Sequence, residues 1–326
     1  MKNSLDHLLI SLLLFISPLC HAAALTFERA IPLPGVEGRI DHFSLDAAGG
    51  RLFVSALGND SVEVLDLKKG IAIHSITGLA EPQGVLYAPE SNRLFIANGG
   101  DGTLRMFDGT TFTQIKTVSF SGDADDLRYD DNARRVIVGY GRGGIGLVDA
   151  ATGVIAGEIP LRAHPEASAL EAGGPRIFVN VPGAHEVAVV DRKTGKVIAQ
   201  WPLGWAAANF PLALDEADHR LFVGCRLPAR LLVFATDSGR EIARCDLHGD
   251  CDDLFYDASR RRIYGSCGAG FIDVFSQIDA DHYVLRESVA TVPRARTSLF
   301  DGLRLYLAVP KSGDQPAEIR CYRIAP

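Results

Sequence analysis

The sequence predicts an all-β fold: a seven-bladed β-propeller of four-stranded blades, its ring closed by an N-terminal strand that completes the last blade. Three observations carry this. A strand–turn–strand phrase recurs seven times along the chain. Its period fits four short strands joined by turns. The seventh copy stops one strand short, while a strand with no blade of its own precedes the first copy.

The prototype phrase is RLFVSALGNDSVEVLD, from Arg51 to Asp66. Arg51-Leu52-Phe53-Val54 is rich in β-branched and aromatic residues, Gly58-Asn59-Asp60 breaks it, and Ser61 to Asp66 alternates with period two. The second-strand anchors are Leu52, Leu94, Val136, Ile177, Leu221, Ile263 and Leu305, at spacings of 42, 42, 41, 44, 42 and 42 residues. Third strands follow, and four of them end in aspartate, at Asp66, Asp108, Asp149 and Asp191. Turns such as Ala151-Thr152-Gly153, Lys193-Thr194-Gly195 and Asp237-Ser238-Gly239 lead into the fourth strands. No sustained helical periodicity is present, which excludes an α-solenoid, and the period is too long for a β-helix.

From Leu305 the chain has room for the second and third strands and then stops at Pro326, so the fourth is missing. The segment Thr26 to Leu33 is left over at the other end. Its Ile31-Pro32-Leu33 matches Ile159-Pro160-Leu161 and Trp201-Pro202-Leu203, which end other blades. It is therefore expected to supply the missing fourth strand.

Residues 1–24 read as a secretory signal. Lys2 opens it, Leu8 to Ile16 is apolar except for Ser11, Pro18 breaks the block, and cleavage is expected after Ala22 or after Ala24. The block is too short to span a bilayer comfortably. A single propeller domain over 25–326, periplasmic or secreted and monomeric, is the expectation. No membrane span is expected after cleavage. A net charge of −7 without a basic run argues against nucleic acid as a partner.

The LF-V second strands, such as Leu52-Phe53-Val54-Ser55 and Ile177-Phe178-Val179-Asn180, resemble the YVTN family of β-propellers, the YncE-like proteins of bacterial periplasm and cell surface. The V-x-V-hydrophobic-Asp third strands and Thr-Gly turns complete the likeness, with departures at Ala235 and Ser276. The resemblance implies export and a seven-bladed ring, and no one common reaction.

Function is then a question of the channel mouth, where inner strands begin. Eleven residues before the first six anchors stand Asp41, Gln83, Asp125, Glu166, Phe210 and Asp252; the shorter turn of blade seven puts Arg294 or Arg296 there. Arg39, His42, Asp126, His164 and Asp253 are neighbours. Converging carboxylates at Asp41, Asp125, Glu166 and Asp252 must be held by a divalent cation, by arginines or by shared protons. The competing expectation is that they cap strand-start turns through backbone N–H groups. His42 has no counterpart in other blades; it reads either as a proton carrier or ligand or as a hydrogen-bonded structural residue beside a turn.

Five cysteines lie beyond the signal, and Cys251–Cys267 is the preferred disulfide, with Cys245–Cys251 as competitor. The glycine-rich run Gly139 to Gly144 joins two strands and is no phosphate loop. Arg260-Arg261-Arg262 reads as a solvated hairpin tip. Trp201 and Trp205 read as a packed blade edge. No catalytic motif is present. The leading function is a binding module for a protein or small-molecule ligand at the channel mouth. The alternative is a cation-dependent hydrolase or lactonase with His42 as acid–base group. A dehydrogenase-associated subunit is third, by fold analogy alone.

Overall fold

The computed structural model describes residues 23–326, so the expected signal segment lies outside the described residues apart from Ala23 and Ala24. Seven four-stranded antiparallel sheets form the seven blades. In six of them the strands follow in chain order from the channel outward. In the seventh, Ser298–Phe300, Arg304–Val309 and Glu318–Ile324 are completed by Leu25–Pro32. The left-over segment is thus the missing fourth strand.

A repeated irregularity shows how faithfully it takes that place. In blade one, Val64 pairs with His74 and Leu65 with Ala72, leaving Ile73 as an extra residue on the fourth strand. The same slip occurs between third and fourth strands in the next five blades. In blade seven Phe27 pairs with Tyr322 and Arg29 with Cys321, so Glu28 is the extra residue. A one-residue bulge increases local twist, so each outer strand turns away from its blade in the same manner.

The apolar residues of the middle strands point both ways, because each blade is packed between two others. Seven hydrophobic clusters result, one at each blade junction. Leu52 and Val54 of blade one pack with Tyr306 and Ala308 of blade seven, whereas Phe53 packs with Leu94 and Ile96 of blade two. Fully burying one such side chain stabilises the ring by about 1.5–3 kcal/mol.

The third-strand aspartates are turn caps. Asp149 Oδ1 accepts the N–H groups of Ala151 and Thr152 at 3.1 and 2.8 Å, and Asp66, Asp108 and Asp191 repeat the pattern. The arginine run is not a solvated tip. Arg260 Nε and Arg262 Nη1 donate to the Ala325 carbonyl at 3.0 and 2.8 Å, so the run clamps the C-terminus onto blade six. Arg261 reaches Asp218 at 2.8 Å instead. Of the tryptophans, Trp201 packs on Phe178 and Phe234, while Trp205 is exposed beside Arg244.

Cys251 and Cys267 stand opposite each other, as their spacing predicted, but the expected disulfide is not formed: all five cysteines among the described residues are free thiols. Cys251 Sγ points at the Asp253 carbonyl at 3.5 Å and Cys267 Sγ at the Gly265 carbonyl at 3.6 Å. Burial raises the Cys251 thiol well above its ordinary pKa, which keeps it as the unreactive thiol rather than the thiolate. The competitor Cys245 is turned to the Tyr283 carbonyl.

Candidate functional site

A backbone kink recurs just before the channel. Glu81, Asp123, Ala208, Asp250 and Arg294 all have positive φ, at 50, 38, 56, 60 and 72°. Each lies two residues before its blade's aligned channel position. Such non-glycine conformations are costly, and three of these kinked residues turn their carbonyls to a glycine N–H of the adjoining turn: Glu81 to Gly99, Asp123 to Gly141 and Asp250 to Gly268.

Beyond the kinks, the aligned residues converge. Gln83, Asp125, Glu166, Phe210, Asp252 and Arg296 line one cavity of ≈ 140 Å³, together with His42, Asp123, His164 and Arg226. Of the two arginines considered for blade seven, Arg296 enters this cavity and Arg294 does not. Asp41 is absent from its wall: it is 1 % exposed and sits behind Arg39, whose Nη2 is 2.8 Å from Asp41 Oδ2.

The polar mouth gives way to an apolar throat. A second cavity of ≈ 420 Å³ is lined by Leu45, Leu86, Leu127, Leu254, Leu299 and Phe300 among others. His42 and Asp126 touch both cavities and so mark the waist.

The doubled aspartates divide their labour. Asp126 Oδ2 accepts Ser168 N–H and Oγ–H of the next blade at 3.1 and 2.8 Å, and Asp253 Oδ2 accepts Ser298 N–H at 2.7 Å. These are latches between blades. No backbone N–H bonds to Asp41, Asp125 or Asp252 among the described residues, so the capping expectation does not describe them. Caps on the inner hairpins come from other carboxylates, such as Asp130 and Asp257.

Charge is segregated across the mouth. Asp252 is held by Arg226 and, at 2.8 Å, by Arg296 Nε; the same arginines reach Asp250 at 3.3 and 2.7 Å. Arg226 also stacks on Phe210, 3.9 Å from the ring centre. On the opposite wall Asp125, His164 and Glu166 bring ligand-type atoms within 4.8 Å of one another. Of the four carboxylates expected to share a cation, the structure therefore groups Asp125 with Glu166 and adds His164, whereas Asp41 and Asp252 are tied to arginines.

Burial is the main influence on Glu166 and pushes its carboxyl up to about 8, with the Asp125 charge adding to it. Burial likewise lifts Asp41 to about 6 and Asp253 to about 7. Burial opposes a charge on His42 and on His164. The carboxylates outweigh it in both cases, and each imidazole rises to about 9: Asp41 and Asp253 act on His42, Asp125 and Asp123 on His164, where the Gly141 carbonyl adds its hydrogen bond.

Sequence reasoning missed Arg226 and the part played by the glycine-rich turn. Arg226 lies five residues after its anchor, at the end of the second strand, which shares the mouth with the start of the first. Gly141 of the turn offers its carbonyl to His164 Nδ1 at 2.6 Å.

No family model matches the chain, and no curated protein matches it. Among solved structures, a chain in the crystal structure of a mitotic checkpoint complex is similar over 100 % of both chains, with a TM-score of 0.79 at 13 % identity. At that identity the likeness is one of fold alone.

Proposed function

We propose that this chain is an exported binding module whose channel mouth holds a small cationic ligand against Asp125 and Glu166. One observation carries the reading: among the described residues no arginine is ion-paired with either acid, while Asp252 across the mouth is held by two. A positively charged group entering there takes the place of the proton that burial keeps on Glu166 and stands beside the Asp125 carboxylate. The propeller fold, commonly a binding scaffold, supports this. The YVTN-like repeats support export and a monomeric ring.

Calorimetric titration with putrescine and with divalent cations tests the reading, using wild type, D125N and E166Q. Saturable binding of at least one cation, weakened tenfold or more by either substitution, is expected. Loss of all cation binding, or binding indifferent to both substitutions, defeats it.

A cation-dependent hydrolase is the second reading. It is favoured by His42, which faces the mouth at the waist and is near two carboxylates, at 3.7 Å from Asp41 and 3.9 Å from Asp253. Turnover of lactone or ester substrates that vanishes in H42Q would establish it.

A further inference from the structure

We propose that Asp125, His164 and Glu166 form a binding site for one divalent first-row transition cation, of the Zn²⁺ or Mn²⁺ class. This rests on the reading that the mouth holds a cation, and it names which kind.

The imidazole carries the argument. His164 Nδ1 lies 2.6 Å from the Gly141 carbonyl oxygen, which only accepts. Nδ1 therefore bears hydrogen, and Nε2 is the nitrogen whose proton a metal would displace. Nε2 is 3.9 Å from Asp125 Oδ2, too far for a hydrogen bond. A metal bonded at about 2.0–2.2 Å to nitrogen and oxygen spans two donors up to roughly 4 Å apart, so both atoms fit one ion. A ring held by a carbonyl on one nitrogen and free on the other is the arrangement that metal-binding histidines adopt.

Asp125 supplies an independent sign. The residue is 8 % exposed and lines the cavity, yet its Oδ1 has no hydrogen-bond partner. Leaving a buried carboxylate oxygen unmet is costly. Glu166 completes a set in which all three donor atoms lie within 4.8 Å of one another, so the third ligand needs an inward movement of less than about 1 Å.

Outer contacts steady the set. Asp123 Oδ1 accepts Gln83 Nε2 at 2.8 Å, and its Oδ2 is 3.8 Å from His164 Nδ1. One imidazole and two carboxylates favour a borderline cation. Calcium prefers an all-oxygen shell, and soft ions prefer thiolates. Three protein ligands leave positions open toward the cavity for water or ligand.

The test uses tag-free, chelator-treated protein covering the full propeller. Calorimetry with Zn²⁺, Mn²⁺, Ca²⁺ and putrescine is run on wild type, H164Q, D125N, E166Q and the surface control D191N. One Zn²⁺ per chain is expected, weakened at least tenfold in the three site variants and unchanged in D191N. Cobalt(II) added to wild type should give visible d–d absorption that zinc abolishes, a readout that needs no variant. Zinc binding unaltered in H164Q, no cobalt band, or preference for Ca²⁺ overturns the metal site. If putrescine binding then remains sensitive to D125N, the cation-binding reading survives alone; if no cation binds, both fall.

Discussion

Arg296 Nε lies 2.8 Å from Asp252 Oδ2, linking blades six and seven at the channel mouth. Asp252 keeps Arg226 as a second partner. Arg296→Met is therefore expected to cost about 1–3 kcal/mol rather than the larger loss of an uncompensated buried charge. Urea denaturation measures this, and the double variant with Arg226→Met should lose more than the two single costs added. Strict additivity would show that the two arginines act separately.

Asp126 latches blade three to blade four through Ser168. Asp126→Ala leaves the Ser168 N–H without its partner and should lower stability by about 1–3 kcal/mol. Ser168→Ala removes only the hydroxyl contact and should cost less. If the two substitutions cost the same, the backbone contact adds nothing.

Ala208 holds φ at 56° with no side-chain reason to do so. Glycine adopts that conformation freely, and its entropic penalty is smaller than the strain relieved. Ala208→Gly is expected to raise stability by about 0.5–1 kcal/mol, read as a shift of the denaturation midpoint. Destabilisation would mean that the kink is not strained.

The turn aspartates set the acid limit. Backbone N–H groups hold Asp66, Asp108 and Asp191 below the usual carboxylate range, and in Asp149 the Thr152 hydroxyl and N–H do so. A folded-state pKa below the unfolded value gives stability that is present above the unfolded pKa of about 3.9 and lost as pH falls through the folded one. Melting temperature should fall below about pH 4, and less steeply in Asp149→Asn. Equal slopes in the two proteins would remove the turn caps from the acid response.

Ala24 is fully buried; its N–H donates to Glu287 at 2.6 Å and its carbonyl accepts Ala325 N–H at 2.9 Å. Of the two expected cleavage points, the one after Ala22 keeps these contacts. Intact-mass measurement of exported protein should therefore give a chain beginning at Ala23. A start at Leu25 would show that the Ala24 contacts are dispensable.

The fold was legible because blade packing imposes a repeat. Leu52 and its six counterparts must be apolar in every blade, so spacing alone locates them. Counting back from those anchors also found Gln83, Asp125, Glu166, Phe210 and Asp252, but it left Arg294 and Arg296 as alternatives in blade seven, where the turn is shorter. The count could not see that Asp41 turns behind Arg39, because side-chain direction depends on the neighbouring blade. Arg226 escaped notice for the converse reason: it comes from the end of a strand, and only the third dimension brings it to Phe210 and Asp252. Cys251 and Cys267 were placed opposite each other correctly, but opposition says nothing about whether two thiols prefer each other or the carbonyls beside them.

The pairing of Leu25 with Ile324 has a consequence in time. Ribosomes make the first of these strands long before its sole sheet neighbour. Until the last strand emerges, Leu25–Pro32 has no partner to pair with, and local hairpins can form while the circle cannot. Contacts so remote in sequence are slow to find. A chain built this way closes its ring only once synthesis has delivered both ends to the same place.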